Sequence, residues 1–282
     1  MTLPPQANLS ITETQFVHST HTGQDYQISI GLPGSYKQNR EHKYPLVVVL
    51  DGNLFFNMLT DTARVMHLCR SFPEVIVVGI GYPLKSLLGE DFKRFVMHRV
   101  KDFTPVQSRF FEGELHSWLG VQSIETGGAQ RFLDFIREEL LPGIDSCYPT
   151  NPGDRTLVGY SLAGLFALHA LFQDPRVFHR FVAGSPTLSY AEQSLFLTED
   201  GYAQQNQDLP ASLYLAIGSE DESALNPLDS MISIPDFYRF AAYLQQRTYP
   251  GLKLTRKCFE GHSHGSIPAQ AFQAGLRAVF SG

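Results

Sequence analysis

The chain has little cysteine, and its three cysteines, Cys69, Cys147 and Cys258, lie far apart among 282 residues. No Cys-x-x-Cys pair or cysteine–histidine cluster accompanies them, so the sequence predicts neither a disulfide framework nor a metal site. We therefore expect a protein of a reducing compartment, the cytoplasm, that holds no metal and no cofactor.

The chain also lacks an excess of positive charge and lacks long apolar runs. Its formal net charge is −6 and its isoelectric point is near 5.9, whereas a nucleic-acid-binding surface usually needs a basic stripe. No window reaches the ~18 apolar residues that a membrane span requires, and residues 1–6 show no basic start or signal-like apolar run. We expect a small-molecule partner, with neither nucleic acid nor membrane, and the sequence leaves the oligomeric state open.

Short apolar runs that suit buried strands alternate along the chain with amphipathic runs of helical length. The strand-like runs are 46–50, 75–80, 156–159, 181–184, 213–217 and 252–259, and the helical runs are 57–70, 130–141, 162–172, 235–247 and 268–280. This alternation predicts an α/β fold with a mostly parallel central sheet and helices on both faces. Near the start, runs 15–19 and 25–32 flank Thr22-Gly23, which predicts an antiparallel hairpin.

Residues 82–128 interrupt this alternation with turn residues, charges and the only tryptophan, Trp118. The segment is too long for a plain connection, and long connections inside compact domains are often functional lids. We therefore expect one domain over residues 1–282, with a cap-like excursion at about 82–128 over the carboxyl edge of the sheet.

A Gly-Tyr-Ser-Leu-Ala-Gly motif at residues 159–164 joins a predicted strand to a predicted helix. Such a sharp turn exposes a serine hydroxyl and directs the next N–H toward the reacting oxygen, so Ser161 is the candidate nucleophile. Ala163 occupies the place of the second glycine of the G-x-S-x-G pattern, which a single methyl at a helix start can fill. The alternative is that Ser161 only caps the helix, but the strand–turn–helix context favours the nucleophile.

In a serine hydrolase of this kind the acid and then the histidine follow the serine along the chain. Of the later histidines, His169 and His179 fall in or beside predicted core elements, whereas His262 and His264 follow the last strand at the edge expected for Ser161. The residues alone favour His264 weakly over His262. A His-x-His pair could also bind metal, but no carboxylate or cysteine spacing supports such a site.

The candidate acid lies after Gly218, where three carboxylates are adjacent. We choose Asp221, three residues past the glycine, with Glu222 and then Glu220 as substitutes, to orient the histidine. At least two of the three must belong to a solvated loop.

The oxyanion hole needs two N–H donors. Leu162 N–H is one candidate, and Asn53 N–H is the other, because Gly52 permits close backbone approach beyond the most hydrophobic strand. The alternative is a simple Asp-Gly turn at Asp51-Gly52.

These motifs resemble the esterase D group of α/β-hydrolases, which includes siderophore (enterochelin-type) esterases, S-formylglutathione hydrolases and mycolyltransferases. The matching segments are residues 17–19 with 23–30, 44–53, 99–105 (Arg-Val-Lys-Asp-Phe-Thr-Pro), 127–142, 159–165, 183–186 and 259–266. The resemblance implies an α/β-hydrolase fold, His264 as the catalytic histidine and Asp221 as the acid, although some siderophore esterases are described as Ser–His dyads.

The candidate substrate-binding residues are Gly52, Arg99 and Tyr160, of which Arg99 lies in a segment that carries the resemblance. Arg99 could bind an anionic or catechol-bearing substrate, but we expect instead that it forms a structural ion pair with Asp102.

The predicted function is therefore a serine esterase that cleaves a carboxylic ester through an acyl-enzyme, with no cofactor. A siderophore trilactone and a short-chain acyl ester are the two candidate substrates. Acyl transfer, thioester hydrolysis as in S-formylglutathione hydrolases, and non-catalytic binding on the same fold are the alternatives.

Overall fold

The computed structural model describes residues 12–39, 41–221 and 227–281. Eight strands form one sheet in the order β1-β2-β4-β3-β5-β6-β7-β8. They are β1 Thr12–His18, β2 Asp25–Gly31, β3 Tyr44–Val49, β4 Ile76–Gly81, β5 Thr150–Tyr160, β6 Arg180–Gly184, β7 Ala211–Gly218 and β8 Leu252–Phe259. Strands β3 to β8 are parallel, and the β1–β2 hairpin joins β4 antiparallel. This confirms the predicted mostly parallel α/β sheet with an N-terminal hairpin.

Helices cover both faces of the sheet. They are α1 Gly52–Leu68, α2 Gly89–Phe103, α3 Arg109–Leu119, α4 Ala129–Asp134, α5 Leu141–Cys147, α6 Leu162–Gln173, α7 Ser194–Gln205, α8 Ile234–Arg247 and α9 Pro268–Phe280, with a π-helical turn Phe135–Leu140 between α4 and α5 and a 3₁₀ turn Asp229–Met231. Helices α1 and α9 pack on one face, and α2, α4, α6 and α7 pack on the other.

The excursion contains two helices, α2 and α3, that the sequence does not predict. In α2, charged side chains pair one turn apart, Lys93 with Glu90 and Arg94 with Asp91, and these charges obscure its apolar stripe. Ser108 caps α3 by accepting from the Phe111 N–H. Helix α7 was likewise not predicted.

Helix α1 begins at Gly52, five residues before the predicted run. The Asp51-Gly52-Asn53 segment is therefore a helix N-terminus rather than a free turn. Asp51 has left-handed backbone angles, φ 50° and ψ 47°, which bring the chain sharply from β3 into the helix.

The carboxyl ends of the parallel strands meet along one edge of the sheet. Asp51 follows β3, Ser161 follows β5, Ser185 follows β6, and Asp221 and His264 come after β7 and β8. Side chains from distant parts of the chain therefore converge there, as is usual in open α/β sheets.

Among the described residues, no helix is both long enough and apolar enough to cross a bilayer. The same part of the chain contains no group of three or more His, Cys, Asp or Glu side chains that could hold a metal ion.

Candidate active site

Ser161 occupies a strained turn between β5 and α6. Its backbone has φ 60° and ψ −124°, a conformation rare for a residue with a side chain. The Ser161 N–H donates to the Gly184 carbonyl at 2.8 Å, which ties the turn to the neighbouring strand β6. The strain is held by the surrounding core, because every residue of α6 from 162 to 172 is buried.

The two glycines around the turn are required by close packing. A Cβ at Gly159 would lie 2.1 Å from the Ala163 carbonyl oxygen, and one at Gly164 would lie 3.0 Å from the Gly184 oxygen. Ala163 is itself fully buried, so its methyl is accommodated in the core. Ala163 therefore departs from the motif without opening the turn.

Asp221 and His264 are brought together at the sheet edge. The His264 Nδ1 lies 2.8 Å from Asp221 Oδ1, and the carboxylate is fully buried. Its second oxygen, Oδ2, accepts from the Ser185 hydroxyl and from the Gly218 N–H, the latter at 2.9 Å. The carboxylate is thus fixed on both oxygens and can fix the imidazole in turn.

The environment of Asp221 favours its anion. Burial by itself raises the pKa of the Asp221 carboxyl, but hydrogen bonds from His264, Ser185 and the Gly218 N–H outweigh burial and hold that pKa below its usual value. A carboxylate that stays ionised can stabilise an imidazolium.

The alternative candidates for the acid and the base, Glu220, Glu222 and His262, are not seen to form such a pair among the described residues. Glu220 is exposed, and its N–H donates to the His262 carbonyl, while Glu222 lies outside the described residues. The His262 ring contacts the Ser266 hydroxyl, with Nδ1 3.1 Å from Oγ. Of the candidates that can be compared, only Asp221 and His264 form a pair.

His169 is buried in α6, and neither ring nitrogen has a partner among the described residues. Burial lowers its pKa to about 4, so the ring is neutral near neutral pH. It is a core residue of the elbow helix, as the sequence predicted.

Tyr160 lies against the His264 loop. Its side chain is buried, its hydroxyl donates to the His264 carbonyl oxygen at 2.6 Å, and the two rings have centroids 4.8 Å apart. Tyr160 thus contacts the histidine loop, and its expected contact with substrate stays a prediction.

Two N–H groups lie where helix geometry leaves them without an intrahelical acceptor. Asn53 and Leu162 are in the first turns of α1 and α6, both at the carboxyl edge. The Asn53 side chain is occupied, since it donates to the Tyr82 carbonyl at 2.9 Å and accepts the Tyr82 N–H at 2.7 Å. Both helix N-termini favour negative charge, as an oxyanion requires.

The place of Gly52 is set by packing. A Cβ there would come within about 3 Å of the β4 backbone, at 2.9 Å from the Gly79 carbonyl carbon. Gly52 therefore lets the start of α1 pack directly on β4. The expected close approach of this backbone to substrate stays a prediction.

Arg99 forms its ion pair with Asp51, and the expected pair with Asp102 is wrong. The guanidinium donates through Nε to Asp51 Oδ1 at 3.0 Å and through Nη2 to Oδ2 at 2.7 Å. The side chains of both residues are almost fully buried, and the possible contact of Arg99 with substrate stays a prediction. The pair attaches α2 of the excursion to the start of α1.

Asp102 has other partners. Its carboxyl accepts from the Tyr26 hydroxyl at 2.8 Å, the Tyr82 hydroxyl at 3.1 Å and the Gln24 amide at 2.7 Å. Burial raises the pKa of Asp102 to about 7, against the opposing effect of these hydrogen bonds.

The sequence assigns no role to two residues of the site, Ser185 and Asp51. Both lie in segments that carry the family resemblance, and that was the signal that could have found them.

The chain is similar to several known esterases. A family model named Esterase matches residues 19–264. The siderophore triacetylfusarinine C esterase of Aspergillus fumigatus is 31% identical, covering 94% of this chain and 92% of its own. The ferri-bacillibactin esterase BesA of Bacillus subtilis is 27% identical over 91% of this chain and 85% of its own. The crystal structure of the BES protein from Bacillus cereus matches with a TM-score of 0.80 at 27% identity over 99% of both chains.

The α/β-hydrolase fold, the elbow and these similarities define the class of protein, a carboxylic ester hydrolase. The chain belongs to the Esterase family, whose model covers it from the β1–β2 hairpin to His264. The predicted serine esterase is thereby confirmed.

Proposed function

We propose that this esterase cleaves the ester bonds of a siderophore, with Ser161 as nucleophile, His264 as general base and Asp221 as the acid that orients it. The observation that carries the assignment is the 2.8 Å contact between His264 Nδ1 and the buried Asp221 carboxylate at the edge that bears Ser161. Two relatives that match over most of this chain are named for siderophore esters, which supports the substrate class.

The reaction follows from these positions. The Ser161 oxygen attacks the ester carbonyl carbon while His264 Nε2 takes the hydroxyl proton, and the N–H groups of Leu162 and Asn53 stabilise the oxyanion. Collapse breaks the bond to the alcohol oxygen, which receives the proton from His264. Water then attacks the acyl-Ser161 by the same route and releases the acid.

Asp221 keeps the imidazole in one tautomer and balances its positive charge during both steps. Because the Nδ1 nitrogen is engaged by the carboxylate, Nε2 is the nitrogen left to exchange protons with Ser161 and the leaving group. The lowered pKa of Asp221 keeps the carboxylate ionised throughout the neutral range.

We further propose that the chain is one domain of the esterase D group in which residues 82–128 form a cap at the catalytic edge. Contacts between the cap and the main body support this. The Tyr190 hydroxyl donates to the Val106 carbonyl at 2.8 Å, and the Phe111 ring packs edge-on against Tyr190.

We also propose a cytoplasmic location. The unpaired thiols of the three cysteines support it, because disulfides form and persist mainly in oxidising compartments.

A groove of about 690 Å³ between the cap and the body is the proposed place for the bulk of the substrate. It is lined by Val106, Gln107, Ser108, Phe110, Phe111, Glu114, Ser189, Ala191, Glu192, Pro227, Ser230 and Met231. These residues come from α3 and from the chain after β6 and β7, at the same edge as Ser161. Among the residues that the structure describes, the lining contains two carboxylates and neither lysine nor arginine, which favours an uncharged ester over a strongly anionic one.

The nucleophile is tested with Ser161→Ala. We expect loss of hydrolysis of p-nitrophenyl esters and of siderophore esters by at least about 10³-fold, because the variant lacks the oxygen that forms the acyl-enzyme. The matched control is Ser29→Ala, which removes a buried hydroxyl from the middle of β2 and should leave the rate unchanged. A fluorophosphonate label found by mass spectrometry on any residue other than Ser161 would contradict the assignment.

The substrate is tested with a panel run on the purified protein: a neutral hydroxamate ester siderophore, a catecholate trilactone, S-formylglutathione and short-chain p-nitrophenyl esters. We expect the highest kcat/KM on a siderophore ester. A clear preference for short acyl chains or for the thioester would show a general esterase or a thioesterase instead.

A further inference from the structure

We infer that Tyr160 is a positioning residue that fixes the main chain of the base, His264, relative to the nucleophile. The inference rests on the proposed role of His264 and adds a residue to the machinery around it. Tyr160 directly precedes Ser161 in the chain, so one side chain joins the nucleophile turn to the histidine loop.

The first observation is the hydrogen bond to the His264 main chain. The Tyr160 hydroxyl donates to the His264 carbonyl oxygen at 2.6 Å, and its side chain is 3% exposed. The same hydroxyl oxygen lies 3.3 Å from His264 Nδ1, the nitrogen that also contacts Asp221. The phenol therefore holds the peptide of His264 while Asp221 holds the ring.

The second observation is that the Tyr160 ring cannot easily move. Phe55 and Phe272 pack edge-on against it, with centroids 5.8 and 6.2 Å away. On another side Gly184 makes room for the ring, because a Cβ there would lie 2.7 Å from Tyr160 Cδ2. A ring held in this way is a rigid support for the hydroxyl at its end.

The histidine loop needs such a support. It contains Gly261, at φ 70°, and Gly265, and most of its side chains are half-buried or exposed. Its first part is held at the His262 carbonyl, which accepts the Glu220 N–H, and it returns to the core at the fully buried Ile267. Between these points the Tyr160 hydroxyl ties the His264 peptide to the core.

Tyr160 therefore helps to fix the distance between the two reacting groups, the Ser161 hydroxyl and the His264 ring. Ser161 Oγ and His264 Nε2 must keep hydrogen-bonding geometry for proton transfer, and displacement by about 1 Å can cost 10²-fold in rate. Loss of the phenol hydroxyl leaves the turn at Ser161 intact but lets the His264 peptide drift. The chemical step should slow while substrate binding stays the same.

The test is Tyr160→Phe, which keeps the ring and removes only the hydroxyl. We expect kcat on a p-nitrophenyl ester to fall by about 10- to 100-fold with KM within about twofold, since binding is not altered. The matched control is Tyr214→Phe, because Tyr214 is buried on the same face of the sheet and its hydroxyl has no partner among the described residues. That control should leave kcat unchanged.

A second measurement separates positioning from a general loss of structure. Tyr160→Phe is combined with His264→Ala, and the residual rate is compared with that of His264→Ala alone. Because Tyr160 acts through His264, the hydroxyl should have no further effect in the absence of the imidazole.

The outcomes are distinguishable. If Tyr160→Phe retains the kcat of Tyr214→Phe while His264→Ala is inactive, the positioning role is wrong and the base is still His264. An equal loss in both backgrounds would show a structural effect and would also overturn the inference. If His264→Ala itself stays active, the proposed function fails first.

Discussion

Two buried aspartates near the catalytic edge, Asp221 and Asp102, behave in opposite ways. Neither carboxyl group is more than 1% exposed, and each accepts three hydrogen bonds. Yet the pKa of Asp221 is lowered, whereas burial raises the pKa of Asp102 to about 7. The number of hydrogen bonds alone therefore does not decide whether a carboxyl stays ionised.

The difference lies in the donors. Asp221 faces an imidazole that can take a positive charge and has a side chain 18% exposed, so part of its surroundings is close to water. Asp102 faces two phenols and an amide, and Tyr26 and Tyr82 are themselves buried. A partner that can become a cation stabilises a buried anion far more than neutral donors do. The surroundings of Asp221 thus suit catalysis, whereas those of Asp102 stabilise the fold.

The largest effect is expected when each of the two aspartates, Asp221 and Asp102, is replaced by asparagine. Asp221→Asn should lower kcat on the order of 10³-fold, because the amide cannot balance the imidazolium and can favour the wrong tautomer. Asp102→Asn should keep kcat within a few-fold. Steady-state kinetics at pH 7.5 check both, and an Asp221→Asn variant with nearly full activity would show that a Ser–His dyad suffices.

A second test concerns Asp51, whose partner Arg99 is permanently charged. Arg99→Met should lower the free energy of unfolding by about 3–5 kcal/mol, since it leaves a buried carboxylate without its counter-charge. Urea unfolding measures the loss. Adding Asp51→Asn to Arg99→Met should recover part of it, and no recovery would mean that the packing of Arg99 matters more than the charge pair.

A third test concerns the pH dependence of stability through Asp102, whose effect per pH unit is the smallest of the three. An unfolded aspartate has a pKa near 3.9, so between about pH 4 and pH 7 only the folded protein keeps a proton on Asp102. Its contribution to stability is therefore greatest at about pH 4 and below, and it falls as the pH rises to about 7, by up to ~1.4 kcal/mol per pH unit.

Urea unfolding at pH 5, 6, 7 and 8 checks this. The stability difference between the wild type and Asp102→Asn should shrink as the pH rises. The control is Glu125→Gln, whose difference should stay flat over the same range, because Lys101 lowers the pKa of the Glu125 carboxyl and that effect lies below about pH 4. A flat difference for Asp102→Asn as well would remove the contrast between Asp102 and Asp221.

Much of the fold could be read from local patterns. The last strand and last helix begin and end where the sequence predicted, because β8 alternates in burial and Pro268 sets the first turn of α9. The helices of the excursion were missed because charge pairs on α2 hide its apolar stripe. Propensity and periodicity are weak signals when half of a helix faces solvent.

The sequence by itself determined the alternation of strands and helices, the glycine-flanked turn at Ser161 and the histidine loop, because each is encoded by residues close together in the chain. Only the tertiary structure decided that Asp221 meets His264, 43 residues away, that Arg99 meets Asp51, 48 residues away, and that Tyr160 supports His264 across 104 residues. Such pairs depend on which strand ends the sheet brings side by side, and no local pattern specifies that.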